Sequence, residues 1–170
     1  MYDGASACAE AVLMAMRLTR RKRVLLSRAL NPRYRAVVAT YCRYLNLELV
    51  DVAVTDDGRT DLDDLKTKLD DSTAAVVAGY PNYFGVIEDV SALAEQAHGA
   101  GARLIAAVAE PVALGLLKSP GELGADIVAG ESEQFEIFSK VHHWCLPGGK
   151  WFANPALAAG MMYYRLKELL

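Results

Sequence analysis

Two apolar runs joined by a helical stretch organise the first part of the chain. The runs 74–78 and 103–108 contain almost no polar residues, which is typical of strands buried on both faces of a parallel sheet. Between them, Val90, Leu93 and Ala97 recur at helical spacing. This connection is longer than a hairpin requires, and it includes the helix that a crossover uses. The pattern therefore predicts a right-handed βαβ unit.

Similar patterns on either side extend this unit to a larger α/β arrangement. A helix over 7–19 is apolar almost all round, and Ser6 is its predicted N-cap. Helices and strands then alternate, which predicts a mostly parallel sheet flanked by helices. The remaining predicted elements are strands over 24–27, 48–54 and 125–130, helices over 32–45, 61–69 and 87–99, and a short helix or turn over 111–117.

The hydrophobic pattern is lost after Glu131. No βα unit can be recognised over 132–155, where aromatic residues are mixed with Lys and His without a clear period. Several apolar residues beyond this stretch roughly share a helical face, so 156–170 is a candidate terminal helix. We therefore expect a partial α/β domain over 1–131 and a separate tail over 132–170.

The composition narrows the class of protein. The chain has 170 residues, of which 53% are apolar and 23% charged, as is typical of one globular domain. Its net charge is −3, and the basic run Arg20–Arg23 is expected to solvate a helix end, so we expect no nucleic-acid partner. No apolar run approaches the roughly 20 residues of a membrane span, and the start lacks the pattern of a signal peptide. These features predict a cytoplasmic protein without membrane contact.

The metal-binding residue types lack the spacing of a metal site. Cys8, Cys42 and Cys145 are odd in number and far apart, so we interpret them as reduced thiols. His142 and His143 lie close to Cys145 in the sequence. Adjacent residues on a strand point to opposite faces, however, and we interpret these as surface residues. We expect no metal.

Two turns remain as candidate sites, because no G-x-G-x-x-G loop or phosphate-binding P-loop is present. The helix start at Gly4–Ser6 can hold a phosphate, although an ordinary cap explains the same residues. Pro81, Asn82 and Gly85 follow a buried strand, at the sheet edge where open α/β proteins place their ligands. A well-built turn without any ligand explains them equally well.

Four segments resemble the glycine decarboxylase P-protein family. They are Met1–Ala7 (MYDGASA), 24–41 (VLLSRALNPRYRAVVATY), 80–89 (YPNYFGVIED) and 114–131 (LGLLKSPGELGADIVAGE). The resemblance covers about 1–131, in order and at the family's spacing, and is greatest to the first of the two bacterial subunits. It implies part of an aminotransferase-like large domain of pyridoxal-phosphate fold type I. It also implies an oxidoreductase that decarboxylates glycine and passes the aminomethyl group to the lipoyl carrier protein (H-protein).

The resemblance also implies where the cofactor chemistry should lie. Enzymes of this fold use a Schiff-base Lys and an acid partner for the pyridinium nitrogen of pyridoxal phosphate. The acid belongs near Val108, where this chain has only Glu110 just beyond. The Lys belongs shortly after the strand at 126–129, where this chain has Glu131, and Lys140 lies too far on. The first subunit of the family lacks this Lys as well, and its partner, P-protein subunit 2, supplies it.

These implications assign roles to few residues of this chain. We expect no catalytic residue, and we expect Ser6 and Asn82 to bind the cofactor at a cleft edge that is shared with the partner subunit. Asn82 is predicted to lie on the same sheet edge as Ser6 and Glu110. A full first subunit is longer at both ends, so we expect a fragment that is inactive alone and whose tail after Glu131 is rearranged or frameshifted.

Two other functions are compatible with the residues. One is a non-catalytic, truncated α/β domain that only packs with a partner, and the binding of subunit 2 would distinguish it. The other is a doubly wound nucleotide-binding domain, which the missing Gly-rich loop disfavours.

Overall fold

A seven-stranded sheet with helices on both faces forms the described part of the chain. The computed structural model describes residues 3–131 and, for the backbone alone, 150–151 and 160–164. The strand order is β2-β1-β3-β4-β5-β7-β6. The strands are β1 (Arg23–Ser27), β2 (Glu48–Val52), β3 (Thr73–Gly79), β4 (Arg103–Val108), β5 (Ile127–Glu131), β6 (Lys150–Trp151) and β7 (Gly160–Tyr164). The helices are α1 (Gly4–Thr19), α2 (Pro32–Cys42), α3 (Leu62–Lys68), α4 (Val90–Gly99) and a 3-10 helix (Pro111–Gly115).

The predicted parallel sheet is confirmed. Strand β3 pairs in parallel with β1 and β4, and β1–β2 and β4–β5 are also parallel pairs. Neighbouring residues of one strand enter opposite cores: Leu26 packs towards α1 and α2, whereas Leu25 packs towards α3 and α4. The unbroken apolar runs of the sequence therefore reflect strands that are covered on both faces. Each fully buried Leu or Val contributes about 1.5–3 kcal/mol of transfer free energy.

The start of α1 corrects the sequence prediction. The N-cap is Asp3 and not Ser6, and the helix begins three residues earlier than expected. The Asp3 carboxylate accepts a hydrogen bond from the Ser6 amide at 2.7 Å, and the Ser6 hydroxyl accepts one from the Asp3 amide at 3.2 Å. This reciprocal capping box satisfies two backbone donors that an isolated Ser6 cap would leave unpaired.

Other helix boundaries also differ from the prediction, and the largest differences are in α2 and α4. Helix α4 begins at Val90 and not at 87, because the Asp89 side chain caps the Ala92 amide at 3.0 Å. Helix α2 ends at Cys42, three residues before the predicted end. Boundary residues carry weak periodicity, so the apolar pattern places helices more reliably than it places their ends.

Part of the tail is a strand and not a helix. Residues 160–164 form β7, which pairs antiparallel with β5 from Gly160 opposite Glu131 to Tyr164 opposite Ile127. The helix predicted over 156–170 is therefore wrong for these residues, and the rest of that interval lies outside the described residues. The open edge of β5 offers unpaired backbone groups, and Tyr favours strands, so pairing overrides the weak helical period.

No helix in the described residues is long and apolar enough to cross a membrane.

Candidate functional site

A cavity of about 340 Å³ opens at the carboxyl edge of the sheet. The strand order reverses between β1 and β3, and open α/β sheets place their ligands outside the strand ends at such a point. The volume lies in the range of small-molecule sites. The cavity is lined by residues at or after the ends of β1, β3 and β4, namely Leu30, Asn31, Tyr34, Gly79, Pro81, Asn82, Tyr83, Gly85, Ala107, Ala109 and Glu110.

Asn82 builds the turn on one side of this cavity. Its Oδ1 accepts hydrogen bonds from the amides of Phe84 and Val86, both at 3.0 Å. Its Nδ2 donates to the Gly58 carbonyl at 2.8 Å and to Glu88 Oε1 at 2.9 Å. Both donors and both acceptor positions of the amide are thus engaged, and the side chain is only 6% exposed. Asn82 closes the turn, as the turn interpretation of this segment expects.

A buried carboxylate connects this turn to two other loops. Glu88 is 4% exposed, and it accepts hydrogen bonds from the Thr60 amide at 3.0 Å and the Thr60 hydroxyl at 2.8 Å. The Thr60 hydroxyl also shares a 2.7 Å hydrogen bond with Ser27 Oγ at the end of β1. The network fixes the ends of β1 and β3 relative to the loop between β2 and α3. No ion pair compensates Glu88 among the described residues.

Sequence reasoning missed this network. The predicted helix over 87–99 includes Glu88, whereas Glu88 precedes α4 and is buried. Thr60 follows a turn of charged residues and carries no sign of burial in the sequence. Only a contact over 28 residues, between Thr60 and Glu88, gives these residues their role, and no local period encodes such a contact.

A second polar cluster lies where α1 begins. The Tyr34 hydroxyl donates to Glu131 Oε1 at 2.8 Å, which joins α2 to the end of β5. Both groups lie against Gly4: a Cβ at this position would overlap the Tyr34 hydroxyl and approach Glu131 Oε1 to 2.8 Å. Burial, followed by the hydrogen bond to Glu131, raises the pKa of Tyr34. The hydroxyl therefore stays protonated and serves only as a donor to the carboxylate.

The structure brings some of the predicted site residues to the cavity and leaves others away from it. Asn82 and Glu110 both line it, whereas Ser6 is not among its lining residues. The Ser6 amide and hydroxyl both donate to the Asp3 carboxylate, each at 2.7 Å. Cofactor binding by Ser6 and Asn82 stays a prediction. Lys140, His142, His143 and Cys145 lie outside the described residues.

Exposed apolar side chains lie on the two segments that carry the lining residues Tyr83 and Glu110. Tyr83 and Phe84 are each 57% exposed and stack edge-to-face with ring centroids 5.8 Å apart. Ile87 follows on the same segment, and Val112 and Leu116 are exposed on the 3-10 helix that follows Glu110. We call these five residues the apolar rim. Clustered exposed apolar residues are typical of interaction surfaces.

The charge of the cavity is one-sided. Glu110 is its single charged lining residue, and no Lys, Arg or His from the described part of the chain lines it. Within the same residues, no group of three His, Cys, Asp or Glu side chains could hold a metal ion. The described lining can therefore attract a cation or accept hydrogen bonds, but the described residues offer no cationic group to an anion there.

Comparison with known proteins identifies the family. A solved structure of glycine decarboxylase (P-protein) of the glycine cleavage system, in inhibitor-bound form, superposes with a TM-score of 0.73 at 34% identity, and the match covers 98% of this chain and 40% of that chain. The family profile of the glycine cleavage system P-protein matches residues 1–141. The chain belongs to the glycine cleavage system P-protein family. The predicted resemblance is confirmed, and the profile extends ten residues past the predicted boundary at Glu131.

Two further comparisons concern a curated relative of this P-protein family member and a solved structure that shares its fold. A probable glycine dehydrogenase (decarboxylating) subunit 1 of Desulforamulus reducens is 53% identical over 137 residues, which are 81% of this chain and 30% of the relative. A sphingosine-1-phosphate lyase of Burkholderia pseudomallei shares the fold alone, with a TM-score of 0.69 at 17% identity over 96% of this chain and 37% of the other. The aminotransferase-like fold is therefore confirmed. The chain spans about 30% of the length of its curated relatives.

Proposed function

We propose that this chain serves as part of the first subunit of a glycine decarboxylase. The complete enzyme decarboxylates glycine and passes the aminomethyl group to a lipoyl carrier protein. In this proposal the second subunit carries pyridoxal phosphate on its Lys, and the cavity of this chain forms one wall of the site. Membership of the P-protein family and the relatives named subunit 1 support this assignment.

The observation that carries the proposal is that the described cavity lining has a carboxylate but no cation. The fold supplies a cleft at the strand ends. Among the described residues, its lining includes the carboxylate of Glu110 and neither a Lys nor another cation. Glu131 ends β5, close to where enzymes of this fold carry the Schiff-base Lys. A wall that lacks these groups is suited to complete a site whose reactive groups come from another chain.

The described residues do not fit pyridoxal phosphate by themselves. The cofactor needs a Lys for its aldehyde and donors or cations for its phosphate, and the described cavity lining provides neither a Lys nor a cation. We therefore assign no reaction step to this chain. Its residues act by shaping the cleft. The Asn82 turn forms one wall, and the apolar rim excludes water where the partner subunit would bind.

Reconstitution with the second subunit tests the proposal. The chain is combined with P-protein subunit 2 and a lipoyl carrier protein, and carbon dioxide release from labelled glycine is measured. A full-length first subunit serves as the positive control, and each component alone as the negative control. We expect no release from this chain alone. Failure of this chain to bind subunit 2, while the full-length subunit binds, would instead support a truncated α/β domain without a site.

Labelling of Lys140 gives a second test. The chain is mixed with pyridoxal phosphate, reduced with borohydride and mapped by peptide mass spectrometry. Because Lys140 lies well beyond the end of β5 in the sequence, we expect no selective label there. Stoichiometric labelling of Lys140 would contradict the proposal that the partner supplies the Lys.

The proposed role of Asn82 is tested in a full-length first subunit paired with subunit 2. Asn82→Ala removes the side chain at the cleft edge. If glycine turnover and assembly stay within about threefold of the parent, which is under about 1 kcal/mol on the barrier, Asn82 has no role in the site. A larger loss of turnover with assembly intact would show that the site depends on the turn that the Asn82 side chain holds.

A further inference from the structure

Two groups of cavity-lining residues come from different parts of the chain. Leu30 and Asn31 follow β1 and form what we call the β1 side, and Asn82 and Tyr83 follow β3 and form the β3 side. A backbone hydrogen bond joins the two sides, because the Tyr83 amide donates to the Ala29 carbonyl at 2.8 Å. One hydrogen bond restrains two segments at a single point. A second connection is therefore needed to fix their relative orientation.

A chain of side-chain hydrogen bonds supplies this second connection. It starts at Ser27, at the end of β1, and passes to Thr60. From Thr60 it continues through Glu88 to Asn82, and the bonded atoms are 2.7, 2.8 and 2.9 Å apart in this order. All four side chains are buried. Because Ser27 Oγ also accepts the Ala29 amide at 3.0 Å, the chain and the backbone hydrogen bond close a ring between the two sides.

The donor of every hydrogen bond in this chain is determined. The Thr60 hydroxyl donates its one hydrogen to Glu88 Oε1, so the Ser27 hydroxyl must donate to Thr60 Oγ1. Asn82 Nδ2 donates to the same Glu88 oxygen, and the Thr60 amide donates to both carboxylate oxygens at 3.1 and 3.0 Å. A buried donor that loses its acceptor is costly, so the chain resists distortion at each step.

Thr60 is central to this chain although it is not among the lining residues of the cavity. Its loop also contacts the β3 side directly, since Asn82 Nδ2 donates to the Gly58 carbonyl at 2.8 Å. We propose that Thr60 and Glu88 are positioning residues, which hold the β1 side and the β3 side in one relative arrangement on which the site depends. This inference rests on the proposed function, in which the cavity forms one wall of the site of the assembled enzyme.

Two substitutions at Thr60 separate hydrogen bonding from packing. Thr60→Val keeps the shape of the side chain and removes the hydroxyl, whereas Thr60→Ser keeps the hydroxyl and removes the methyl group. A side chain that only fills space would tolerate Val better than Ser, and a positioning hydroxyl requires the reverse. Thr67→Val is the control, because it removes an exposed hydroxyl that donates to the Asp64 carbonyl at 2.8 Å. Ser27→Ala breaks the chain at its other end and takes the place of Thr60→Val if that variant does not fold.

Amide hydrogen exchange in the 170-residue chain measures the hold on the β3 side. Asn82 Oδ1 accepts the amides of Phe84 and Val86, so a loosened Asn82 should release both. We expect Thr60→Val to raise both exchange rates about tenfold or more, and Thr60→Ser and Thr67→Val to stay within about twofold of the parent. The Leu104 amide donates to Asp126 at the opposite edge of the sheet, and its rate should not change.

The consequence for the site is measured in a full-length first subunit paired with subunit 2. We expect kcat/KM for glycine to fall about tenfold or more in Thr60→Val while assembly is unchanged, because a small misplacement of a site wall has a large effect on rate. Thr60→Ser should keep kcat/KM within about twofold of the parent, since the hydroxyl is retained.

Three results would overturn the proposal. The first is unchanged exchange at Phe84 and Val86 in both Thr60→Val and Ser27→Ala. The second is a larger loss of kcat/KM in Thr60→Ser than in Thr60→Val, which would mean that the side chain acts by packing. The third is faster exchange with unchanged turnover. If the parent pair itself releases no carbon dioxide from glycine, the proposed function fails, and the exchange rates still decide whether the chain of hydrogen bonds holds the β3 side.

Discussion

Carboxylates at the two edges of the parallel sheet have different kinds of partner. At the amino edge, where the strands begin, Arg23 pairs with Glu48 and Asp70, and Asp126 pairs with Arg103 at 2.9 Å and with His98 at 2.7 Å. At the carboxyl edge, the carboxylates of Glu88 and Glu131 accept hydrogen bonds from neutral donors instead. Exposed ion pairs also lie near the carboxyl edge, but Glu88 and Glu131 have no ion pair among the described residues.

This difference distinguishes the edge that carries the cavity from the opposite edge. Exposed ion pairs contribute little stability each and mainly hold strand starts together. Buried carboxylates without cations are costly unless every oxygen is hydrogen-bonded, so they are kept where they fix a geometry. In a P-protein family member, the carboxyl edge is also where the cavity and the apolar rim lie. Substitutions at the carboxyl edge should therefore cost more than substitutions at the amino edge.

The largest effect is expected for Glu88→Ala at the carboxyl edge. The change leaves the Thr60 amide and the Asn82 Nδ2 short of an acceptor inside the protein. We expect the free energy of unfolding to fall by about 3 kcal/mol, since each buried unsatisfied group costs about 1–3 kcal/mol. Urea denaturation of the chain measures the change. Glu95→Ala, at an exposed position of α4, should stay within about 0.5 kcal/mol, and equal losses in both variants would remove the distinction between the edges.

The second prediction concerns Tyr34→Phe, also at the carboxyl edge. The variant loses the hydrogen bond to Glu131 but keeps the packing of the ring between α1 and α2. A hydrogen bond to a charged group contributes about 1.5 kcal/mol, and we expect a loss of that size in urea denaturation. Tyr44→Phe is the matched control, because Tyr44 is 88% exposed. A loss below that of Tyr44→Phe would mean that water replaces the Tyr34 hydroxyl without cost.

The third prediction tests the amino edge through Asp126→Asn. The amide can still accept the Leu104 amide hydrogen, which the carboxylate accepts at 2.8 Å, but the ion pairs with Arg103 and His98 are lost. These partners are partly exposed, so we expect a loss of only about 1 kcal/mol. Raising the salt concentration to about 1 M should shrink the loss, because salt screens exposed pairs. A loss that exceeds that of Glu88→Ala would reverse the comparison between the edges.

The sequence predicted the sheet and two residues of the cavity lining, Asn82 and Glu110, but not the polar networks. Unbroken apolar runs such as 74–78 identify buried parallel strands, because a strand that is covered on both faces is apolar at every position. The resemblance to the P-protein family extended this to the family and its fold. The strand at 160–164 was missed because its pairing with β5 depends on a neighbour that lies about 30 positions earlier in the chain.

The polar networks were missed for the same physical reason. Thr60 and Glu88 are ordinary surface residue types, and only the approach of distant loops buries them. The basic run Arg20–Arg23 was expected to solvate a helix end. Instead, Arg21 donates to the carbonyls of Thr73 and Ala100 at 3.0 and 2.8 Å, and Arg23 pairs with Asp70. The local pattern identifies which apolar residues are buried. Hydrogen bonds between distant segments decide which polar residues hold the structure together.

The smallest effect is expected for Asp70→Asn, as a change in pH dependence at the amino edge. Hydrogen bonds from Ser72, with smaller help from Thr73 and Arg23, lower the pKa of Asp70 to about 2. A lowered pKa in the folded state stabilises the protein above the unfolded pKa of about 3.9, and this contribution is lost as the pH falls through about 2. The parent chain should therefore be slightly more stable than Asp70→Asn at pH 5, and the difference should vanish near pH 2. Urea midpoints of both chains at pH 5, 3 and 2 measure it, with Asp71→Asn as the exposed neighbour control. A difference that stays constant over this range would show that Asp70 acts through its shape as a turn residue and not through its charge.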